Sequence, residues 1–295
     1  MHGAGGLAAR PSASGWRVVL LLVPLLFCSC LSLLHNRTER ALALAEAHGL
    51  SSVTLEQNGF SLLTLLRAPP VPHRLLVVYV EGDGVAWLDR YHLSPDPTPR
   101  EPLVLEMMLQ DPHPAVAYLG RPCQYLERAV SGCANRYWST HRYAPEVVAA
   151  LGGAIDRLKQ RLHSEEVGLV GYSGGGALAA LLAAERRDVA WLITVAANLD
   201  LTAWLRHHQL SPMPASRNPA DFAERLARLP QYHFVGEEDE RVPAGVVRAY
   251  ADRLLAPTAL TVRAVPRADH ACCWAAQWPA LLAQVPFRER ERPLY

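Results

Sequence analysis

Short apolar runs recur along this chain and alternate with longer segments of helical periodicity. Leu75–Val80 is a continuous apolar run, which is typical of a strand buried on both faces of a parallel sheet. Earlier in the chain, Val53–Gln57 and Phe60–Arg67 flank Asn58-Gly59, a dipeptide that strongly favours a hairpin turn. The pattern therefore predicts that the fold opens with a hairpin and continues with a buried parallel strand.

The same reasoning predicts the remaining elements. Further strands are predicted at Ala115–Leu119, Glu166–Val170, Val189–Ala196, Gln231–Gly236 and Thr258–Val265. Helices are predicted at Thr38–Gly49, Pro145–Leu162, Gly176–Ala184, Pro243–Leu255 and Trp274–Gln284. This alternation predicts an α/β fold, in which helices cover both faces of a mostly parallel, eight-stranded sheet. The excursion Asn198–Pro230 is predicted to form a small cap over a site at the sheet edge.

Residues 1–34 differ in pattern from the rest of the chain. Basic residues precede the apolar run Val18–Phe27, which has the length of a signal-peptide core. Three interpretations stay open: a lipoprotein whose lipidated residue is Cys30, an uncleaved membrane anchor, and an ordinary secreted protein. All three export the domain of residues 35–295. The segment predicts a protein of the bacterial cell envelope, either membrane-anchored or periplasmic.

Composition narrows the possible partners. The chain has 295 residues, half of them apolar, which is enough for one large domain with a full core and excludes general disorder. Its 29 basic residues nearly balance its 28 acidic residues, so nothing in the charge predicts a nucleic-acid partner.

The cysteines beyond the leader fit an exported protein. Cys123 and Cys133 lie close together in a loop-like segment, and we expect a disulfide between them. The pairing of Cys272 and Cys273 stays open, because adjacent cysteines bond to each other only with a distorted peptide. The sequence has no C-x-x-C pair and no helical histidine pair, so no metal site is predicted.

Gly171-Tyr172-Ser173-Gly174-Gly175 lies where a predicted strand ends and a predicted helix begins. In that setting G-x-S-x-G is the pattern of a nucleophile elbow, a turn so tight that strand and helix approach only through flanking glycines. The turn places the hydroxyl of Ser173 at the carboxyl edge of the sheet, beside the free N–H groups of a helix N-terminus. No lysine follows the glycines, which excludes a P-loop; the alternative is a Gly-rich turn with an incidental serine.

A serine nucleophile needs a base that takes its proton and a carboxylate that orients the base. In α/β-hydrolases these residues follow in the order Ser, acid, His. Asp239, in a polar loop after the seventh predicted strand, is the predicted acid, and Asp200, after the sixth, is the alternative. Of the 12 histidines, His270 alone follows both acids and is the predicted base.

A tetrahedral intermediate also needs N–H donors for its oxyanion. In this fold one donor is the backbone N–H after the nucleophile, here that of Gly174, and another comes from the loop after the third strand. That loop is Glu81-Gly82-Asp83-Gly84, and Gly82 and Asp83 are the predicted contributors. The alternative for Glu81 and Asp83 is hydrogen bonding to neighbouring loops.

Several segments together resemble those of a known family. They are Val78–Trp87, Asp96–Pro99, Tyr118–Tyr125, Gly171–Gly176 and Thr194–Asp200. With them the chain resembles a family of exported, lipoprotein-type bacterial α/β-hydrolases, over nearly all of its length after the leader. The resemblance implies the α/β-hydrolase fold, with Ser173, Asp239 and His270 as nucleophile, acid and base, and it implies no substrate. The chain departs from the family pattern at Cys272-Cys273.

The expected function is that of an envelope serine hydrolase. We expect it to cleave an ester or related acyl bond of a small-molecule or lipid substrate, through an acyl-enzyme and without a cofactor. A membrane is the other expected partner, reached through the N-terminal lipid or anchor. Two alternatives stay open: a serine peptidase with the same residues, since one fold hosts both chemistries, and a non-catalytic envelope binding protein.

Overall fold

The computed structural model describes residues 37–125, 133–257 and 259–287. Residues 1–34, predicted to be a signal or anchor segment, and Cys30, the predicted lipidation site, lie outside these ranges. Among the described helices, none combines the length and the apolar character needed to cross a membrane.

One mixed sheet organises the fold. Its strands are β1 Ser51–Gln57, β2 Phe60–Arg67, β3 Leu75–Val80, β4 Val116–Leu119, β5 Glu166–Tyr172, β6 Val189–Val195, β7 Gln231–Gly236 and β8 Leu260–Val265. The eight strands lie in the order β1-β2-β4-β3-β5-β6-β7-β8. β2 pairs antiparallel with β1 and with β4, and the other neighbouring pairs are parallel. The predicted mostly parallel, eight-stranded sheet is confirmed.

Helices cover the sheet. They are α1 at residues 37–47, α2 Leu103–Leu109, α3 Pro145–Leu162, α4 Gly174–Glu185, α5 Leu201–His207, α6 Ala223–Leu226, α7 Ala244–Ala251 and α8 Trp274–Leu282. The sequence pattern missed α2. This seven-residue helix is apolar except for Glu106, so it shows no helical alternation of apolar and polar positions.

The central strands are buried on both faces, as continuous apolar runs predict. In β3 every residue is buried. Leu76, Val78 and Val80 join the core that contains residues of α3 and α4. Leu75, Val77 and Tyr79 join the opposite core, which contains residues of α2 and α8.

The parallel strands place their carboxyl ends at one edge, where α/β folds bind their ligands. The loops after β3, β5, β7 and β8 meet there and carry the predicted site residues. The excursion after β6 contains α5, a 3₁₀ turn at Pro219–Phe222, and α6. Its action as a cap remains a prediction.

Two disulfides are present in the described residues. One joins Cys123 to Cys133, the pairing expected from the sequence. The other joins the neighbours Cys272 and Cys273, for which the sequence left the pairing open.

Candidate active site

Ser173 occupies a strained turn between β5 and α4. Its φ of 53° and ψ of −123° lie in a region that residues with a side chain rarely adopt. Strand and helix approach so closely that a Cβ at Gly171 would collide with backbone atoms of Gly175 and Gly176. A Cβ at Gly175 would collide with the carbonyl oxygens that end β3. The turn therefore has the geometry of a nucleophile elbow.

Three side chains from three loops form one hydrogen-bonded chain. The Oγ of Ser173 lies 3.0 Å from Nε2 of His270. The Nδ1 of the same ring lies 2.9 Å from Oδ2 of Asp239. A carboxylate only accepts, so Nδ1 carries the hydrogen, and Nε2 of the neutral ring is free to accept from the serine hydroxyl. This is the arrangement that proton transfer from the serine requires.

Backbone donors fix the carboxylate of Asp239. Its Oδ1 accepts the N–H groups of Arg241 at 2.9 Å and Val242 at 2.8 Å. Its Oδ2 is thereby directed at the imidazole, and the carboxylate has no exposed surface. The neighbouring Glu237, Glu238 and Glu240 are exposed, as their polar pattern predicted.

The backbone of His270 is also held in place. The hydroxyl of Tyr172, which directly precedes the serine, donates to the His270 carbonyl at 2.6 Å. The indole N–H of Trp274, at the start of α8, lies 3.2 Å from the same oxygen. The ring centres of Tyr172 and His270 are 5.3 Å apart. Tyr172 therefore links the elbow directly to the histidine loop.

Asp200, the alternative acid, has a different environment. Its Oδ1 accepts the N–H of Ala203 at 3.0 Å and so caps the N-terminus of α5. Its Oδ2 lies 3.2 Å from the guanidinium of Arg253. Since both oxygens are engaged there, Asp239 and not Asp200 is the carboxylate that contacts His270.

The predicted oxyanion donors Gly82, Asp83 and Gly174 differ in whether their backbone N–H groups are already hydrogen-bonded. The N–H of Gly82 donates to Oε1 of Glu81 at 2.7 Å, so it is already engaged, and its predicted role as an oxyanion donor would require that bond to be exchanged. The N–H groups of Asp83 and Gly174 have no acceptor among the described residues. The two loops are in contact, because a Cβ at Gly174 would collide with the Asp83 carboxylate. The N–H groups of Asp83 and Gly174 are therefore free of intramolecular acceptors in the described structure, and their role as oxyanion donors stays a prediction.

The carboxylate of Asp83 lies between two arginines. Its Oδ1 accepts from Arg121, and its Oδ2 accepts from Arg142 at 2.9 Å and from the hydroxyl of Tyr143 at 3.3 Å. Burial raises the pKa of Asp83, but the guanidinium groups of Arg142 and Arg121 outweigh burial and lower it to about 2. Asp83 is therefore ionised at neutral pH, and the cluster carries one excess positive charge beside Gly174.

Glu81 begins the same loop and supports it through a buried carboxyl group. Its Oε2 accepts from the hydroxyl of Tyr118 at 2.8 Å. Burial raises the pKa of Glu81 to about 7, against the opposing hydrogen bonds from Tyr118 and Gly82. The loop that carries the Asp83 donor therefore rests on a carboxyl group that titrates near neutral pH.

We expect Glu81→Gln to remove a pH dependence of stability. A pKa raised on folding stabilises the protein below the unfolded pKa, and this contribution is lost as pH rises through the folded value. Between about pH 4.5 and 7 the wild-type protein should lose roughly 2–3 kcal/mol relative to Glu81→Gln. Urea unfolding of both proteins at pH 5 and pH 8 measures the difference. Equal differences at both pH values would contradict the expectation.

α5, which belongs to the excursion after β6, contacts the loop that carries Asp239. The indole N–H of Trp204 donates to the Arg241 carbonyl at 2.7 Å, and the guanidinium of Arg142 lies 5.8 Å from the Trp204 ring centre. Another side of α5 borders an open pocket of about 590 Å³, whose apolar lining includes Leu205, Met213 and Phe222. The excursion thus contacts both the acid loop and the arginine cluster.

Sequence reasoning did not identify several residues that hold the site. Tyr172 lies inside the serine motif, and Arg121 follows β4 within a segment of the family resemblance. Arg142 belongs to no motif, and no local pattern connects it with Asp83, from which it is 59 residues distant. The one available signal for Arg121 was its position after a parallel strand that ends at the site edge.

Comparison with solved structures defines the fold. The esterase Est1E from Butyrivibrio proteoclasticus is 15% identical with a TM-score of 0.55, covering 81% of this chain and 98% of its own. The Pyrococcus furiosus esterase Pf2001 is 13% identical with a TM-score of 0.58, and the match covers 81% of this chain and 90% of the esterase. An acylaminoacyl peptidase from Pyrococcus horikoshii is 13% identical with a TM-score of 0.58, covering 82% of this chain but 40% of its own.

These similarities establish that the chain has the α/β-hydrolase fold, as the sequence predicted. No protein-family model and no curated protein sequence matches the chain. At this level of identity the neighbours share the fold with this chain, and their names do not transfer a substrate.

Proposed function

We propose that the protein is a serine hydrolase that cleaves an ester or related acyl bond. The observation that carries the proposal is the hydrogen-bonded chain from Asp239 through His270 to Ser173, with distances of 2.9 and 3.0 Å. Two further features support the proposal: the strained elbow at Ser173, and the backbone N–H groups of Asp83 and Gly174, which have no acceptor among the described residues. A serine with a purely structural role in the core would need neither the hydrogen-bonded chain nor the strained turn.

In the proposed mechanism Ser173 attacks the substrate carbonyl while Nε2 of His270 takes the hydroxyl proton. The imidazolium is stabilised by Asp239, which stays ionised and keeps the ring oriented. His270 then returns the proton to the leaving alcohol as the carbon–oxygen bond breaks, which leaves an acyl group on Ser173. Water, deprotonated by the same ring, attacks the acyl-enzyme. As the bond between the acyl carbon and Ser173 Oγ breaks, His270 returns the proton to Oγ, and the acid is released.

The oxyanion that forms in each step is assigned to the N–H groups of Asp83 and Gly174. Such donors act because they are already oriented where charge develops, and losing one typically costs about 3 kcal/mol. The arginine cluster supports this role, since Arg121 and Arg142 hold Asp83 in place and leave a net positive charge nearby.

Solved structures with this fold include two esterases and an acylaminoacyl peptidase, and each match covers 81–82% of this chain. The fold is compatible with ester and with peptide cleavage, so the ester is proposed and the peptide is its alternative. Peptide hydrolysis is therefore the second outcome that a substrate test must distinguish. We further propose that the enzyme works in the bacterial envelope, held by its N-terminal segment or by a lipid on Cys30. The leader pattern and the Cys123–Cys133 disulfide support this location.

Fluorophosphonate labelling tests the proposed nucleophile. We expect the wild-type protein to be labelled and Ser173→Ala to be unlabelled, because the probe bonds only to an activated serine. Ser61→Ala is the matched control, since the Ser61 hydroxyl is buried in β2 without a partner and should be dispensable for labelling. A folded wild-type protein that does not label would overturn the proposal.

The bond type requires a second measurement, made on unlabelled enzyme. A panel of p-nitrophenyl esters of increasing acyl length is compared with aminoacyl p-nitroanilides at equal concentration. We expect ester turnover that disappears in Ser173→Ala. Amide turnover that exceeds ester turnover would replace the esterase by the peptidase.

A further inference from the structure

An exposed apolar tip projects from the loop that follows the oxyanion donor. Residues 85–94, here called the flap, form a short antiparallel structure in which Trp87 pairs with Leu93. The N–H of Leu88 donates to the carbonyl of His92 at 2.8 Å and closes the turn. At this tip the exposed fractions are 41% for Trp87, 55% for Leu88 and 80% for Tyr91.

Hydrogen bonds hold the base of the flap, so the tip is exposed on an ordered support. Ala86 and Ser94 are buried, and the N–H of Ser94 donates to the Ala86 carbonyl at 3.0 Å. The indole N–H of Trp138 donates to the Ser94 carbonyl at 3.0 Å. The flap base also pairs with the next loop, through the N–H of Val85 and the carbonyl of Pro97 at 3.0 Å.

The charges at the tip suit an anionic or zwitterionic surface. The carboxylate of Asp89 accepts the N–H groups of Tyr91 and His92 and contacts the His92 ring at 2.7 Å. These bonds and the His92 ring lower the pKa of Asp89, so its carboxylate is ionised at neutral pH and is held within the turn. Arg90 is exposed and has no carboxylate partner among the described residues. The tip therefore presents two aromatic side chains, a leucine, the Asp89 carboxylate held within the turn, and Arg90, which has no ion-pair partner among the described residues.

Large exposed apolar residues are concentrated at the edge that carries the site. Trp87, Leu88 and Tyr91 follow β3 at its carboxyl end. By contrast, Val71 precedes β3 and Leu255 precedes β8, so each lies singly at the amino edge. Isolated exposed apolar residues are ordinary, whereas a cluster beside a site marks an interaction surface.

The position of the N-terminal segment indicates what covers this tip. Arg37, at the start of the described chain, donates to the carbonyl of Thr98 at 3.0 Å and lies 4.0 Å from Asp96. Thr98 directly follows Pro97, which bonds to the flap base. The apolar run Val18–Phe27 is joined to Arg37 by residues 28–36, a length that spans at most about 30 Å. The segment predicted to reach a membrane is thus attached beside the flap.

We propose that the flap tip docks on the surface of a lipid bilayer, with Trp87, Leu88 and Tyr91 at headgroup depth and Arg90 against lipid phosphates. Tryptophan and tyrosine favour this depth because each has an apolar body and a polar group that stays hydrated. Docking orients the site toward the bilayer. If the proposed hydrolase activity holds, its substrates are then acyl esters presented at that surface.

Depth-dependent quenching tests the docking without reference to catalysis. The full chain is reconstituted in vesicles of phosphatidylethanolamine and phosphatidylglycerol that contain a lipid brominated near the headgroup. The chain has seven tryptophans, and comparison with Trp87→Phe isolates the contribution of Trp87 from that of the others. We expect this contribution to be quenched by the brominated lipid and protected from aqueous iodide. Quenching by iodide but not by the lipid would overturn the proposal.

Paired variants test the consequence for substrate delivery. Leu88→Ser/Tyr91→Ser removes apolar surface at the tip, and Val71→Ser/Leu255→Ser removes it at the opposite edge. We expect the first pair to lower hydrolysis of a vesicle-borne ester, relative to a water-soluble ester, by about tenfold, because each buried side chain contributes to binding. The second pair should leave the ratio unchanged. An equal effect of both pairs would contradict the inference.

Two further outcomes distinguish lipid docking from dimerisation at the tip, and distinguish failure of the docking proposal from failure of the hydrolase proposal. A dimer in solution that Leu88→Ser/Tyr91→Ser dissociates would assign the tip to a second copy of the chain and overturn lipid docking. Quenching of Trp87 by the brominated lipid in a protein that fluorophosphonate does not label would leave docking standing and overturn the hydrolase.

Discussion

Asp239→Asn is expected to lower kcat on an ester substrate by about ten-thousandfold while the protein stays folded. The N–H groups of Arg241 and Val242 bond to Oδ1, so an asparagine must keep its oxygen there. Its NH₂ group then faces His270, where only an acceptor suits the required tautomer. The ring responds by placing its hydrogen on Nε2, which can no longer take the proton of Ser173. Steady-state kinetics with a thermal melt as the folding check measure the effect.

The matched control is Asp200→Asn. Asp200 caps α5 and pairs with Arg253, away from the imidazole, so its replacement should reduce stability and leave kcat of the folded protein within a few-fold. A large loss of kcat in Asp200→Asn, together with near-normal turnover in Asp239→Asn, would reassign the acid to the loop after β6.

Arg142→Gln is expected to lower kcat by about a hundredfold with little change in KM. Asp83 carries one proposed oxyanion donor, and its carboxylate contacts Gly174, which carries the other. Arg142 neutralises that carboxylate and holds it at 2.9 Å. Two unit charges about 5 Å apart interact with about 3 kcal/mol at an effective dielectric constant near 20, which is the scale of the predicted loss. Because the oxyanion forms in the transition state and the tetrahedral intermediate but is absent from the bound substrate, kcat changes and KM does not.

Two variants separate this electrostatic effect from simple destabilisation. Arg142→Lys keeps the charge and should retain most of kcat. Arg186→Gln removes an arginine that is also held by carboxylates, those of Asp156 and Asp188, at the opposite end of α4. We expect this second variant to lower the melting temperature while leaving kcat unchanged. Equal losses of kcat in Arg142→Lys and Arg142→Gln would contradict the electrostatic explanation.

Local patterns predicted most of the sheet. β2, β3, β7 and α3 have the bounds that alternation and apolar runs indicated, because period and turn residues are properties of short segments. The elbow was equally visible, since its glycines and serine are adjacent in sequence. α2 escaped because seven nearly all-apolar residues carry no helical period.

The candidate site was predicted only in part. The order of Ser173, an acid and His270 follows from chain order, but β6 and β7 are neighbours, so Asp200 and Asp239 both end at the site edge. Which carboxylate reaches the ring depends on the backbone donors and cations around each one. Likewise, Gly82 and Asp83 are adjacent in sequence, and only the position of the Glu81 carboxylate decides that the Gly82 N–H is occupied.

By itself, then, the sequence determined the fold class, the nucleophile elbow at Ser173 and the candidate residues around it, because each depends on local periodicity or on chain order. The tertiary structure alone decided that His270 contacts Asp239 and that Asp83 lies between Arg121 and Arg142. It also decided that the flap tip is exposed and that the loop bonded to the flap base contacts the first described helix. These contacts join residues far apart in the chain. They depend on where parallel strands end and how the following loops pack, which no local pattern encodes.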